Sequence, residues 1–139
     1  MRLIPLLVLA LTACDEDLSD FDADLDPELL PAEELPPPPV ISQTGTCPGP
    51  VTFTITSLTP GGLYRVARSP NLGPGFPLPA PCQGTALRIG PPVTLVATAT
   101  APASGMATYS VTLGAAACGQ YLQVLDQATC TTSMWHQIF

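Results

Sequence analysis

Val51-Thr52-Phe53-Thr54-Ile55-Thr56 alternates apolar and polar residues with a period of two. In an extended strand successive side chains point to opposite faces, so this stretch puts Val, Phe and Ile on one side and three threonines on the other. That is the signature of a half-buried β-strand. The same alternation returns at Ala107-Thr108-Tyr109-Ser110-Val111-Thr112-Leu113. Residues 93–100 read VTLVATAT, and residues 63–68 are another short β-prone run. Tyr121-Leu122-Gln123-Val124-Leu125 is almost continuously apolar, as expected of a strand buried on both faces. Thr59-Pro60-Gly61-Gly62 and Ala101-Pro102-Ala103-Ser104-Gly105 are turn signals between such runs. No stretch keeps a helical apolar period for ten residues or more.

These runs predict an all-β fold, a small immunoglobulin-like β-sandwich of about seven strands. The expected strands lie near residues 40–46, 51–58, 62–68, 92–100, 106–113, 120–126 and 131–138, with a short extra strand at 85–90. Residues 69–84 hold five prolines and three glycines, and read as a long loop that cannot be a central strand.

The whole chain has 139 residues, room for one small domain with accessories. Its 46% hydrophobic content argues against disorder throughout, and 11% charged residues with no lysine argue against a coiled coil or charged bundle. The net charge of −7, with four arginines and no basic run, argues against nucleic acid as a partner. That charge is concentrated. Residues 14–44 carry ten acids and no base, whereas residues 45–139 carry Arg65, Arg68 and Arg88 against Asp126 alone. The acidity therefore belongs to a segment outside the expected domain.

The chain opens with Met1-Arg2 and an apolar stretch over residues 3–13, LIPLLVLALTA. A bilayer-spanning helix needs about 20 apolar residues, so this stretch has instead the length of a signal-peptide core. It ends in Leu11-Thr12-Ala13-Cys14, which resembles the lipobox of bacterial lipoproteins. The resemblance implies removal of residues 1–13, acylation of Cys14 (palmitate is a typical acyl group) and attachment to a membrane through the N-terminal lipid. Five cysteines are an odd number, and lipidation of Cys14 leaves an even set of four, Cys47, Cys82, Cys118 and Cys130. Their gaps of 35, 36 and 12 residues fit no zinc knuckle or ribbon. In an exported domain two disulfides are the natural reading.

Residues 14–46 then read as the lipid-bearing cysteine followed by an acidic, proline-rich and disordered tether, with residues 47–139 as the disulfide-linked domain. Pro36 to Pro39 favour a short polyproline II rod, and fully extended the tether reaches roughly 100 Å. Asp20, Asp22, Asp24 and Asp26 alternate like the start of a calcium loop, but Leu25 and Pro31 occupy the positions where an EF-hand needs Gly and Glu.

The disulfide pairing is open at this level. Counting strands puts Cys82 and Cys118 at the same end of a sandwich, which points to Cys82–Cys118 and leaves Cys47–Cys130. The same counting puts Cys47 and Cys130 at opposite ends, an objection to that pairing. Cys47–Cys82 with Cys118–Cys130 stays open, although the latter pair flanks one extended strand. All three connectivities remain.

The pattern Cys47-Pro-Gly-Pro50, Thr59-Pro-Gly-Gly62, Pro81-Cys-Gln-Gly-Thr85, Ala117-Cys-Gly119, Tyr121-Leu-Gln123 and Asp126 followed by Thr129-Cys-Thr-Thr-Ser133 is similar to small Cys-containing modules of exported proteins in myxobacteria and planctomycetes. It spans residues 45–135. The resemblance implies an extracytoplasmic disulfide-containing β-module and no particular activity. Those modules end in an Asn-Val-Val-like strand, where this chain has Met134-Trp135-His136.

The inventory for catalysis in the expected domain is small: one histidine (His136), one aspartate (Asp126), and no Glu or Lys. His136 and Asp126 fall on neighbouring expected strands, but no nucleophile elbow accompanies them. Paired carboxylates for glycoside hydrolysis are missing. Zinc ligation through His136 lacks partners, and no Gly-rich cofactor loop occurs, so no metal and no cofactor are expected. Arg65 and Arg68 are three apart and should face opposite sides of a strand. Trp135, Tyr64 and Tyr109 could form a sugar-stacking platform, with Tyr64 and Trp135 as candidate ligand contacts. The plainer expectation is that they fill the core or cover a sheet edge.

The sequence thus leads to a cell-envelope protein, lipid-anchored and extracytoplasmic. It is expected to present a noncatalytic sandwich for structural or protein-interaction roles, with an unknown envelope protein as partner. The alternative is a carbohydrate-binding or adhesion module that meets a glycan through exposed aromatics and the 69–84 loop.

Overall fold

The computed structural model describes residues 34–139, and the expected signal peptide, Cys14 and most of the acidic tether lie outside them. The folded unit begins at Leu35 rather than at Cys47. Its strands are β1 (Val40–Gly45), β2 (Gly49–Thr56), β3 (Leu63–Ser69), β4 (Asn71–Pro77), β5 (Ala86–Gly90), β6 (Thr94–Thr100), β7 (Ala107–Leu113), β8 (Tyr121–Asp126), β9 (Thr131–Thr132) and β10 (His136–Gln137). The all-β class expected from the sequence is the class observed.

The first sheet has the order β1-β2-β7, all antiparallel. Register follows the alternation of residues 51–56: Val51 lies opposite Val111, Phe53 opposite Tyr109, and Ile55 opposite Ala107. Their apolar faces point to the core, where Val51, Phe53 and Ile55 are buried. The hydroxyl residues take the outer face, and Thr52 Oγ1 lies 2.9 Å from Ser110 Oγ. A slip by one residue would expose the whole apolar set, which is why such a pattern pins register.

The second sheet has the order β10-β8-β3-β6, with β9 also paired to β8. Tyr64 and Val66 of β3 and Leu122 and Val124 of β8 pack against the first sheet in one core, with Leu58 and Ile138 beside them. This order is compatible with an immunoglobulin-like sandwich. It departs from the constant-type arrangement, in which the strand after the third would join the sheet of β7. Here β6 pairs with β3 instead, through a register shift between Val66 and Ala67.

Only part of the Pro/Gly-rich region is a loop: residues 71–77 are strand, and residues 78–84 belong to the connection that follows. β4 and β5 form an antiparallel two-stranded ribbon, with Asn71 opposite Gly90 and Pro77 opposite Ala86. Prolines cannot donate to a ladder, and β4 tolerates Pro74 and Pro77 because its only ladder partner is β5. Leu87 and Ile89 of this ribbon pack with Ala67 on the outer face of the second sheet, with Leu78, Val93 and Tyr121 around them. That third layer explains why β8 is buried on both faces. Gln123, which faces it, is fully buried, accepts a hydrogen bond from Arg88 N (2.7 Å) and donates one to Ser133 O (2.8 Å).

The ribbon also decides the disulfides. The bridges are Cys47–Cys118 and Cys82–Cys130, one of the three connectivities left open and not the one to which strand counting points. The expected Cys82–Cys118 and Cys47–Cys130 pairs are corrected here, and the reason is geometric. Cys47 (β1–β2 turn) and Cys118 (after the 3-10 turn Ala115–Ala117) share one end of the sandwich. The segment carrying Cys82 leaves β3 at that same end, so counting it as a loop keeps Cys82 there. As a hairpin it instead runs back along the sheet to the opposite end, where Cys82 Sγ sits 3.8 Å from Gln127 O and Thr85 Oγ1 donates to Cys130 O at 3.2 Å.

The last expected strand, 131–138, is broken into β9 and β10. Ser133 makes the crossing between them, giving its N–H to Val124 O and accepting Val124 N–H at its Oγ, both at 2.9 Å. Phe139 O then accepts the N–H of Cys47, tying the end of the chain to the β1–β2 turn. In that turn Gly45 has φ +88°, and a Cβ there would lie 2.3 Å from Pro50 O, so only glycine fits.

Candidate functional site

The three aromatics do not form a platform. Tyr64 is 9% exposed and belongs to the core, so it is withdrawn as a ligand contact. Tyr109 points inward from the free edge of β7 and lines a cleft between the two sheets, with Val96, Val111, Leu113 and Arg68. Trp135 behaves in the opposite way to a core residue. It is 41% exposed and stands edge-on to Tyr121, with ring centroids 5.5 Å apart.

Trp135 is presented by the break in the last strand. Between β9 and β10 the chain leaves the ladder, and Met134 and Trp135 project from it while Ser133 holds the backbone to β8. A shallow cleft of ≈ 150 Å3 results, lined by Pro38, Pro39, Val40, Ile41, Met134, Trp135 and His136. Pro39 is fully buried, so the end of the expected polyproline rod packs as part of the domain. Met134 and Val40 are exposed, which makes the rim apolar. Arg88 supplies a polar neighbour, with Nη1 3.4 Å from Met134 Sδ.

His136 forms the floor. Its Nε2 lies 3.2 Å from Gln43 Oε1, and its ring meets Phe53 edge-on at 6.2 Å and Phe139 at 5.7 Å. Partial burial among these rings disfavours the imidazolium and pushes its pKa below the ordinary value. Asp126 is not its partner. His136 pairs with Leu122, four residues along β8 from Asp126, or roughly 13 Å at the strand rise. Asp126 instead holds the fold together. Its carboxylate accepts the N–H of Thr59 (2.7 Å) and of Ala128 (2.9 Å), joining two turns at one end of the sandwich. Among the described residues no group of three or more His, Cys, Asp or Glu side chains is placed to hold a metal ion.

The arginines separate as their spacing requires. Arg68 lines the inter-sheet cleft, and Arg65 lines a second cavity on the outer face of the same sheet. The sequence marks Trp135, but its neighbours Pro38, Val40 and Met134 carry no signal, because only the break in the last strand brings them together.

Compared with known proteins, the chain matches no family model, no curated protein and no solved structure. The two disulfides fit a protein that matures in an oxidising, extracytoplasmic compartment. Among the described residues no helix is long and apolar enough to cross a membrane.

Proposed function

We propose that the chain is a cell-envelope lipoprotein, acylated at Cys14, whose β-sandwich is a noncatalytic interaction module. Its contact surface in this reading is the Trp135 cleft, and its partner is another envelope protein. The observation that carries the reading is the exposure of Trp135 among Met134, Val40 and Pro38. Binding hot spots are enriched in tryptophan, and the exposed part of Trp135 is free to be buried against a partner. The lipobox-like Leu11-Thr12-Ala13-Cys14 supports the anchor, and the acidic stretch behind it suits a chain held off anionic headgroups.

A second reading has the same aromatic stack on a sugar ring, which the open position of Trp135 also favours. One experiment separates them. Full-length protein expressed in a bacterial host is fractionated and crosslinked in the envelope, with Trp135→Ala and Cys14→Ser beside the parent. A defined protein partner lost in Trp135→Ala, with no glycan bound on an array, supports the first reading. Glycan binding lost in the same variant supports the second. Cys14→Ser is expected to leave the membrane fraction, and a parent protein whose Cys14 carries no acyl chain by mass spectrometry overturns the anchor.

A further inference from the structure

The larger cavity lies under the β4–β5 ribbon, on the face of the second sheet away from the core. It measures ≈ 210 Å3 and is lined by Ala67, Phe76, Leu78, Pro79, Leu87, Val93, Leu95 and Leu125, all apolar, and by Arg65 alone among charged residues. Arg65 Nε is buried there and has no hydrogen-bond partner among the described residues. The one other such atom, Gln127 Oε1, does not line the cavity.

A guanidinium stays charged at any ordinary pH, and a buried donor without an acceptor is costly. The described residues hold two acids, Glu34 and Asp126. Asp126 accepts the N–H groups of Thr59 and Ala128, and neither acid lines the cavity. The cavity therefore offers one guanidinium at an apolar wall, its Nε buried without a partner and no acid beside it to balance the charge.

We propose that this cavity binds a small amphiphilic monoanion, with its carboxylate on Arg65 and an apolar body between Leu87, Leu95 and Leu125. The terminal N–H groups of Arg65 match a carboxylate in plane, and a charge-assisted pair is among the stronger hydrogen-bonded contacts. One arginine balances one negative charge, so a phosphate dianion would be left under-compensated in this lining. Size suits a small body: an apolar cavity of about 150 Å3 accommodates benzene, so a space of ≈ 210 Å3 takes a ring or a short alkyl chain. The site is independent of the Trp135 cleft and of the lipid anchor, because none of its lining residues belongs to either.

The test titrates the oxidised full chain carrying Cys14→Ser with phenylacetate, hexanoate and the neutral phenylacetamide, followed by methyl NMR. Saturable shifts at Leu87, Leu95 and Leu125 are expected, with affinity in the high micromolar to millimolar range typical of so few atoms. The amide should bind at least about tenfold more weakly, and acid binding should fade as the pH drops through the probe's own carboxyl pKa. Preference between phenylacetate and hexanoate tells a ring from a chain. Arg65→Met should lose the acid preference. Leu95→Trp, at an exposed position that tolerates bulk, should fill the mouth and abolish binding while leaving the fold intact. Equal binding of acid and amide, shifts remote from these methyls, or no saturation in the millimolar range overturns the proposal.

Discussion

The sandwich and the β4–β5 ribbon are built from opposite kinds of sequence. In β2 and β7 a strict apolar/polar alternation selects the face and forbids a one-residue slip of the observed pairing. In β4, Asn-Leu-Gly-Pro-Gly-Phe-Pro carries no alternation, and its side chains are nearly all exposed. That strand is held from outside itself: by its pairing with β5, by Leu87 and Ile89 packed on Ala67, and by the Cys82–Cys130 bridge at its tip. The lesson is that a strand can be specified by its own pattern or by its anchors, and that the second kind is hidden from pattern reading.

The largest test of that contrast removes the bridges one at a time. By loop-closure entropy the two are nearly equal: sequence separations of 71 and 48 give about 4 kcal/mol each. Their consequences should differ in place. A Cys47→Ser, Cys118→Ser double variant is expected to lower the stability of the whole domain in a denaturant titration. The Cys82→Ser, Cys130→Ser pair should lower it too, but with hydrogen-exchange protection lost first in the ribbon at Leu87 and Ile89. Uniform loss of protection in both variants would erase the distinction between the two regions.

A smaller effect is expected at the seam. Gln123 is the polar link between β8, the ribbon and the Ser133 crossing. Gln123→Ala strands Arg88 N and Ser133 O, and should cost about 2–3 kcal/mol. Gln123→Leu fills the volume but still strands both groups, so it should recover only part of that loss. Full recovery by leucine in a denaturant titration would mean that packing, not hydrogen bonding, joins ribbon to sandwich.

The smallest effect concerns His136. Its folded pKa lies below the unfolded value of about 6.5. The unfolded chain therefore binds more protons in the window just beneath that value, and stability should fall as the pH drops through it and level off below the folded pKa. His136→Gln is expected to flatten this dependence in thermal melts taken across mildly acidic pH. An unchanged slope would place the dependence elsewhere.

Much of the fold is legible in the chain. Residues 51–56 and 107–113 specify strands and faces, because period two leaves only one face on which to bury Val51, Phe53 and Ile55. The near-continuous apolar run of residues 121–125 announces burial on both faces without saying what covers the far side. The candidate site is legible only in part: Trp135 stands out as the single tryptophan, but its exposure depends on a strand break that no local pattern signals. Tyr64 goes the other way, into the core, because its place on β3 shares the parity of Val66.

What the amino-acid order alone determined here is which residues alternate, and hence the all-β class, the faces of the strands and an even set of domain cysteines. The pairing of those cysteines, the third layer over β8, the cleft beside Trp135 and the burial of Arg65 Nε were decided only in three dimensions. The reason is physical: alternation is a property of neighbours along the chain. A bridge or a cavity depends on where two distant segments end, and here that was set by a proline-bearing ribbon folding back along the sheet.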